Sequence, residues 1–129
     1  MRESAAAGSS FGQFVVGMCY SAGWGVAQDN TEAVRWWLLA AAQGHAAAHS
    51  YLGVMFADGR GVVLDGAEAV RWWRLAAAQG HSYAQFNLGV MFEDGRGVAQ
   101  DDAEAVRWYR LAAAQGHALA SAALQRLGA

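Results

Sequence analysis

The sequence predicts an all-α fold, a stacked array of antiparallel helix pairs, and three observations carry that prediction. The chain matches itself at an offset of 36 residues. Each copy holds two stretches with apolar residues at helical spacing, separated by a glycine-rich break. Proline is absent from the 129 residues, while alanine, the best helix former, supplies 30 of them. Self-similarity at a period of roughly 20–50 residues marks an array in which each unit buries its apolar face only against its neighbours.

The repeat is legible along the whole chain. Gln43-Gly44-His45 recurs as Gln79-Gly80-His81 and Gln115-Gly116-His117. Ala57-Asp58-Gly59-Arg60-Gly61-Val62 recurs as Glu93-Asp94-Gly95-Arg96-Gly97-Val98, with a variant at Ser21-Ala22-Gly23-Trp24-Gly25-Val26. The units are therefore 10–45, 46–81 and 82–117, and 118–129 starts a fourth. Residues 1–9 read as a flexible tail and 10–129 as one repeat domain.

Each unit reads as two helices. In the second unit Ala48, Leu52, Met55 and Phe56 share one face of a helix A over about 46–57. Asp58-Gly59-Arg60-Gly61 breaks it, glycine permitting the positive φ of a tight turn. Asp65 stands three residues before Glu68, the spacing of a capping box that starts helix B, and Asp29/Glu32 and Asp101/Glu104 repeat it. Ala69, Trp72, Trp73 and Ala76 then form the inward stripe, with Arg71 and Arg74 in solvent. Gly80 ends the helix, and the count comes to seven helices. A glycine inside every helix A (Gly17, Gly53, Gly89) costs about 1 kcal/mol relative to alanine. Its recurrence predicts that a bulky helix B side chain needs the space, with Trp36, Trp72 and Trp108 expected as the wedges.

These residues resemble the Sel-1-like repeat family, a relative of the tetratricopeptide repeats. Unit two supplies its pattern as Ala48, Leu52-Gly53, Phe56, Gly59-Arg60-Gly61-Val62, Asp65, Ala69, Trp72, Ala76-Ala77 and Gln79-Gly80, and unit three matches from Ala84 to Gly116. Unit one departs at its start, with Gly12 where the pattern has Ala and Val16 where it has Leu, so its first helix is expected to be frayed or altered. The resemblance implies a right-handed α-solenoid of helix hairpins that acts as a scaffold or adaptor and has no catalytic residues. It also implies that helix A lines a concave groove where partners lie.

Composition removes several other functions. All 9 basic residues are arginine, so neither a P-loop lysine nor a Schiff-base lysine is available. Net charge is −2, which offers no field to recruit nucleic acid or anionic lipid. The longest apolar run, Trp36 to Ala42, is far too short to span a bilayer. A single Cys19 excludes an intramolecular disulfide and reads as a buried small hydrophobe in the place of Met55 and Met91. With no leader-like segment, the expected setting is cytoplasmic.

Three apparent motifs fail on context. Gly8-Ser9-Ser10-Phe11-Gly12 has the nucleophile-elbow spacing, but that motif needs a strand-to-helix turn. His45, His81 and His117 fall one repeat apart, and neighbouring helices lie about 8–10 Å from each other while zinc draws its ligands to about 2.1 Å. His45 and His49 have i, i+4 spacing but no third ligand, so no metal and no cofactor is expected. The arginine ladder Arg35, Arg71, Arg107, Arg74 and Arg110 could suit phosphate, yet Glu32, Glu68 and Glu104 stand three residues before its main rungs. A mixed-charge solvated face is the better reading, without nucleic acid.

What remains is the outward face of helix A. Counted from the Leu-Gly landmark, it comprises Phe14, Met18, Ser50, Val54, Asp58, Tyr83, Phe86, Val90, Glu93 and Asp94, with Phe11, Ser21 and Ala57 alongside and Leu119, Ala122 and Arg126 continuing it. The set is apolar for a solvent-facing one, and exposed apolar patches mark contact sites. Asp58, Glu93 and Asp94 would favour a basic or hydrogen-bond-donating ligand. The expectation is a non-enzymatic scaffold binding a protein or peptide segment along helix A, away from membranes. The alternatives are self-assembly through the terminal helices and, last, an enzyme, for which convergent titratable groups are lacking.

Overall fold

The computed structural model describes residues 8–129, and every regular element among them is helical. The helices are α1 Ser10–Ala22, α2 Asn30–Ala42, α3 Ala46–Asp58, α4 Gly66–Ala78, α5 Ser82–Asp94, α6 Asp102–Ala114 and α7 Ala118–Arg126. The expected seven helices are the seven that the described residues form. They pack as two compact units, the first ending at Asp65 and the second running from Gly66 to Ala129. Residues 1–7 of the expected tail lie outside the described residues. Ser9 is the N-cap of α1, its Oγ accepting from the Gly12 amide at 3.2 Å, so the elbow-like serine is a capping residue. No helix among the described residues is long and apolar enough to cross a membrane.

In the first unit α1 and α2 run antiparallel, and Gln43 at the end of α2 donates to Gln13 at the start of α1 at 2.8 Å. The fraying expected for α1 is absent. It runs for 13 residues like its neighbours, and Val16, although shorter than leucine, is 1% exposed. The glycine gap is real, but the wedge is a different tryptophan. A Cβ on Gly17 would overlap the indole of Trp37, not Trp36. Successive helix residues project about 100° apart, so only one of two adjacent tryptophans can aim at helix A. Contact with the bare backbone lets the Trp37 indole N–H donate to the Phe14 carbonyl at 3.1 Å. Trp36 turns aside, buried, beneath the Arg35 guanidinium.

The turn between the two helices is hydrogen-bonded throughout. Gly23 adopts the left-handed conformation and its N–H returns to Cys19. The Asp29 amide then donates to the Tyr20 carbonyl at 2.8 Å, and the Asp29 carboxylate accepts from the Glu32 amide at 3.1 Å. Only half of the expected capping box forms. With the Asp29 N–H already satisfied, Glu32 is released to pair with Arg35 at 3.0 Å. The same amide-to-helix A bond recurs at Asp65 and Asp101, on the carbonyls of Phe56 and Phe92. Gly61 shows why the turn needs its second glycine. Its φ is +74°, and a Cβ there would stand 2.5 Å from the Asn30 carbonyl oxygen, so this turn rests on the first turn of α2, as Gly97 rests on that of α4.

The second unit repeats these devices. Gln115 donates to Gln85 at 2.9 Å and to the Gly80 carbonyl at 2.8 Å, setting α5 and α6 antiparallel. Over Gly89 lies the ring of Tyr109, the residue after the expected Trp108. Trp73 at 4% exposure, and not the half-buried Trp72, belongs to the core of α4. The last helix, α7, takes the place of a helix A and buries Ala120 and Ala123. Gln125 stands where the other helices A carry Gly17, Gly53 and Gly89.

Candidate protein-interaction surface

The three periodic histidines are helix N-caps. His45, His81 and His117 each have extended backbone angles, and His117 Nδ1 also accepts from the Ala120 amide at 3.3 Å. His49 is the second helix A residue in a buried polar column with Gln13 and Gln85, all at 5–6% exposure. Its Nε2 lies 3.2 Å from the Ala41 carbonyl, as Gln85 Nε2 lies 3.4 Å from that of Ala77. With a carbonyl as partner, Nε2 carries the proton and is occupied in holding α3 to α2. Burial and neighbouring His49 push the His45 imidazole below its ordinary pKa, and its ring lies against Phe14 with centroids 5.0 Å apart. Among the described residues no three His, Cys, Asp or Glu side chains converge as metal ligands would.

On the helix A face of the first unit an aromatic cluster forms. Phe14 packs on Trp37 at 6.4 Å and Tyr51 at 5.5 Å, and Tyr51 stacks on Trp37 at 5.1 Å. Tyr51, 39% exposed, was not among the residues expected on this surface. Met18 and Val54 are partly exposed and Asp58 fully so. Ser50 is not on the surface at all. It is 2% exposed, and Ala57 at 7% is likewise buried.

The second unit brings most of its expected residues into one open cleft of about 510 Å³, lined by Phe86, Val90, Glu93 and Asp94 of α5, Tyr109 of α6, and Leu119, Ala122, Ala123 and Arg126 of α7. Tyr83 lies outside this lining and is 47% exposed. At the polar end the Tyr109 hydroxyl donates to Glu93 at 2.7 Å, and Arg126 grips the same carboxylate with two bonds of 2.6 and 2.8 Å. Hydrogen bonds from Arg126, joined by Tyr109 against the opposing effect of burial, hold the Glu93 carboxyl below its ordinary pKa. Burial first, and Glu93 second, push the Tyr109 phenol well above its own. Glu93, expected to orient a ligand, is therefore already neutralised. The signal was present in the sequence: Glu93, Tyr109 and Arg126 each break their column, where other repeats have Ser21 or Ala57, Trp37 or Trp73, and Val54 or Val90.

This hairpin geometry has a family counterpart: the Sel1 repeat model matches residues 10–45, 46–81 and 82–117. The chain belongs to the Sel1 repeat family. No curated protein matches significantly. Among solved structures, a protective antigen of uropathogenic Escherichia coli displaying an SLR fold is 41% identical, with a TM-score of 0.89 over 92% of this chain and 26% of its own. A Sel1 repeat protein from Oxalobacter formigenes is 37% identical, with a TM-score of 0.83 over 87% of this chain and 46% of its own. The chain thus spans about a quarter and somewhat under half of these two relatives. Helicobacter pylori cysteine-rich protein B, 20% identical with a TM-score of 0.70 over 75% of this chain and 74% of its own, shares the fold. The fold is the α-solenoid of this family, whose repeats generally serve as protein–protein interaction scaffolds.

The opposite, helix B face of these Sel1 repeats carries the arginine ladder. Arg35, Arg71 and Arg107 pair with Glu32, Glu68 and Glu104 at 3.0, 2.5 and 2.9 Å. Their guanidinium groups also lie over Trp36, Trp72 and Trp108 at 5.5, 4.6 and 4.7 Å. Each main rung is thus engaged by a carboxylate and a ring on its own helix, which leaves it poorly placed for a phosphate.

Proposed function

We propose that the chain is a non-enzymatic interaction scaffold whose helix A faces hold segments of a partner protein. The observation that carries this reading is the α5–α7 cleft: Phe86, Val90, Leu119 and Ala122 line an open depression within the size range of ligand sites, about 300–1,000 Å³. A segment seated there would gain roughly 25 cal/mol for each Å² of apolar surface removed from water. The first unit offers its own patch in Phe14, Met18, Val54 and Tyr51, with Asp58 at its edge. The reading requires neither metal nor cofactor.

Self-association through the terminal helices is the second reading, favoured by the 66% exposure of Phe11 on α1 and the 63% exposure of Leu119 on α7. One experiment separates the two. Phe14→Ser with Phe86→Ser, and separately Phe11→Ser with Leu119→Ser, are checked for helicity by circular dichroism, then compared by sedimentation velocity and by partner capture. Loss of capture in the first pair supports the scaffold, and loss of a dimer in the second supports self-association. If neither changes in either pair while the fold persists, the helix A surface is not the working one and attention moves to the arginine ladder.

A further inference from the structure

The α5–α7 cleft also carries information about what fills it, given the docking reading above. We propose that it takes a peptide segment in which an apolar side chain is followed by a basic one. The apolar part follows from the walls, Phe86 and Val90 on one side and Leu119 and Ala122 on the other. The basic part follows from the charge left at the polar end once internal pairing is complete. Glu93 and Arg126 cancel each other in a two-bond ion pair, and the Tyr109 hydroxyl occupies the same carboxylate. Arg126 cannot receive a ligand carboxylate without surrendering those bonds.

Asp94 remains. It is exposed, acts on Arg126 through its charge but joins none of the ion pairs formed among the described residues, and is the final residue of α5. A carboxylate at a helix C-terminus adds to the negative end of the helix dipole, an arrangement that destabilises a helix unless a cation is supplied. The cleft therefore counts two carboxylates and a negative helix end against one guanidinium. A basic side chain reaching Asp94 from an apolar neighbour lodged between Phe86 and Leu119 satisfies both parts of the site. An acidic segment meets repulsion at the same rim.

The test is a titration of the isotope-labelled 129-residue chain, followed by amide chemical shifts. The probes are two synthetic peptides in a glycine–serine background, one with phenylalanine followed by two arginines, the other with phenylalanine followed by two glutamates. The arginine peptide should shift amides of Phe86, Val90, Asp94 and Leu119 and bind about fivefold more tightly, the scale of one surface charge pair. Asp94→Asn should abolish the preference, and Leu119→Ser, an exposed position, should weaken both peptides. Equal or reversed binding at the cleft overturns the basic-partner inference while the docking reading stands. Shifts confined to helix B residues, or none, overturn both.

Discussion

Replacing Gly89 by alanine tests the packing logic of the whole repeat, because two rules predict opposite signs. In an unobstructed helix interior the change stabilises by about 0.5–1 kcal/mol. Here the new Cβ would stand 2.5 Å from Cδ1 and Cε1 of Tyr109, a ring that is 1% exposed. The ring is also tethered, its hydroxyl 2.7 Å from Glu93, so it cannot swing aside without breaking that bond. Overpacking costs about 1–3 kcal/mol and loss of a hydrogen bond to a charged group about 1.5–3 kcal/mol. After subtracting the helix gain, Gly89→Ala should destabilise by about 1.5–5.5 kcal/mol. Urea unfolding read by far-ultraviolet circular dichroism supplies the number. Tyr109→Ala alone should cost about 3–5 kcal/mol, and adding Gly89→Ala to it should cost little more, a coupling of at least about 1 kcal/mol. A Gly89→Ala midpoint equal to or above the parent's would refute the argument, since the ring would then not be what keeps position 89 bare.

Two further outcomes follow from the same geometry. Trp73→Ala should cost about 3–5 kcal/mol by urea titration, and Trp72→Ala distinctly less, since Trp73 is 4% exposed and Trp72 only half-buried; the reverse order would restore Trp72 as the wedge. Glu93→Gln should lower stability by about 1 kcal/mol at neutral pH, the scale of a partly exposed ion pair. Because the native Glu93 pKa lies below its ordinary 4.5, that contribution is complete above about 4.5 and is lost as pH falls through the lowered native value. Melting curves of the two proteins should therefore converge in acid, and a gap that persists there would mean the carboxylate's charge is not what matters.

The repeats, helix ends and turns were legible because each depends on residues close in sequence and written three times over. The capping aspartates and the turn glycines act within a few positions of themselves; Ser9 does too, but its spacing was weighed only as a nucleophile elbow and its capping role was not foreseen. The choice between Trp36 and Trp37 was not legible, because both fit an i, i+3, i+4 stripe and only the rotation of one helix against another decides between them. His49 looked solitary because its column-mates, Gln13 and Gln85, differ in chemistry while making comparable bonds. The helix A face was read as a set of positions, of which Phe86, Val90, Glu93 and Asp94 line one cleft. Its depth was not legible, since Ser50 shares a column with Phe14 and Phe86 yet is 2% exposed. The Glu93–Tyr109–Arg126 grip was spread over three repeat positions, each a deviation that means little until the three are seen to touch.

Gln125 sets α7 apart from the other helices A, which carry Gly17, Gly53 and Gly89 at that position. The 36-residue block 82–117 carries both a bare glycine, Gly89, and the ring that covers it, Tyr109, so a copy of it brings the two members of the pair together. A helix B appended beyond α7 would instead meet a glutamine side chain where its aromatic ring needs exposed backbone. A ring of that size over position 125 would call for Gln125→Gly, as overpacking there costs about 1–3 kcal/mol.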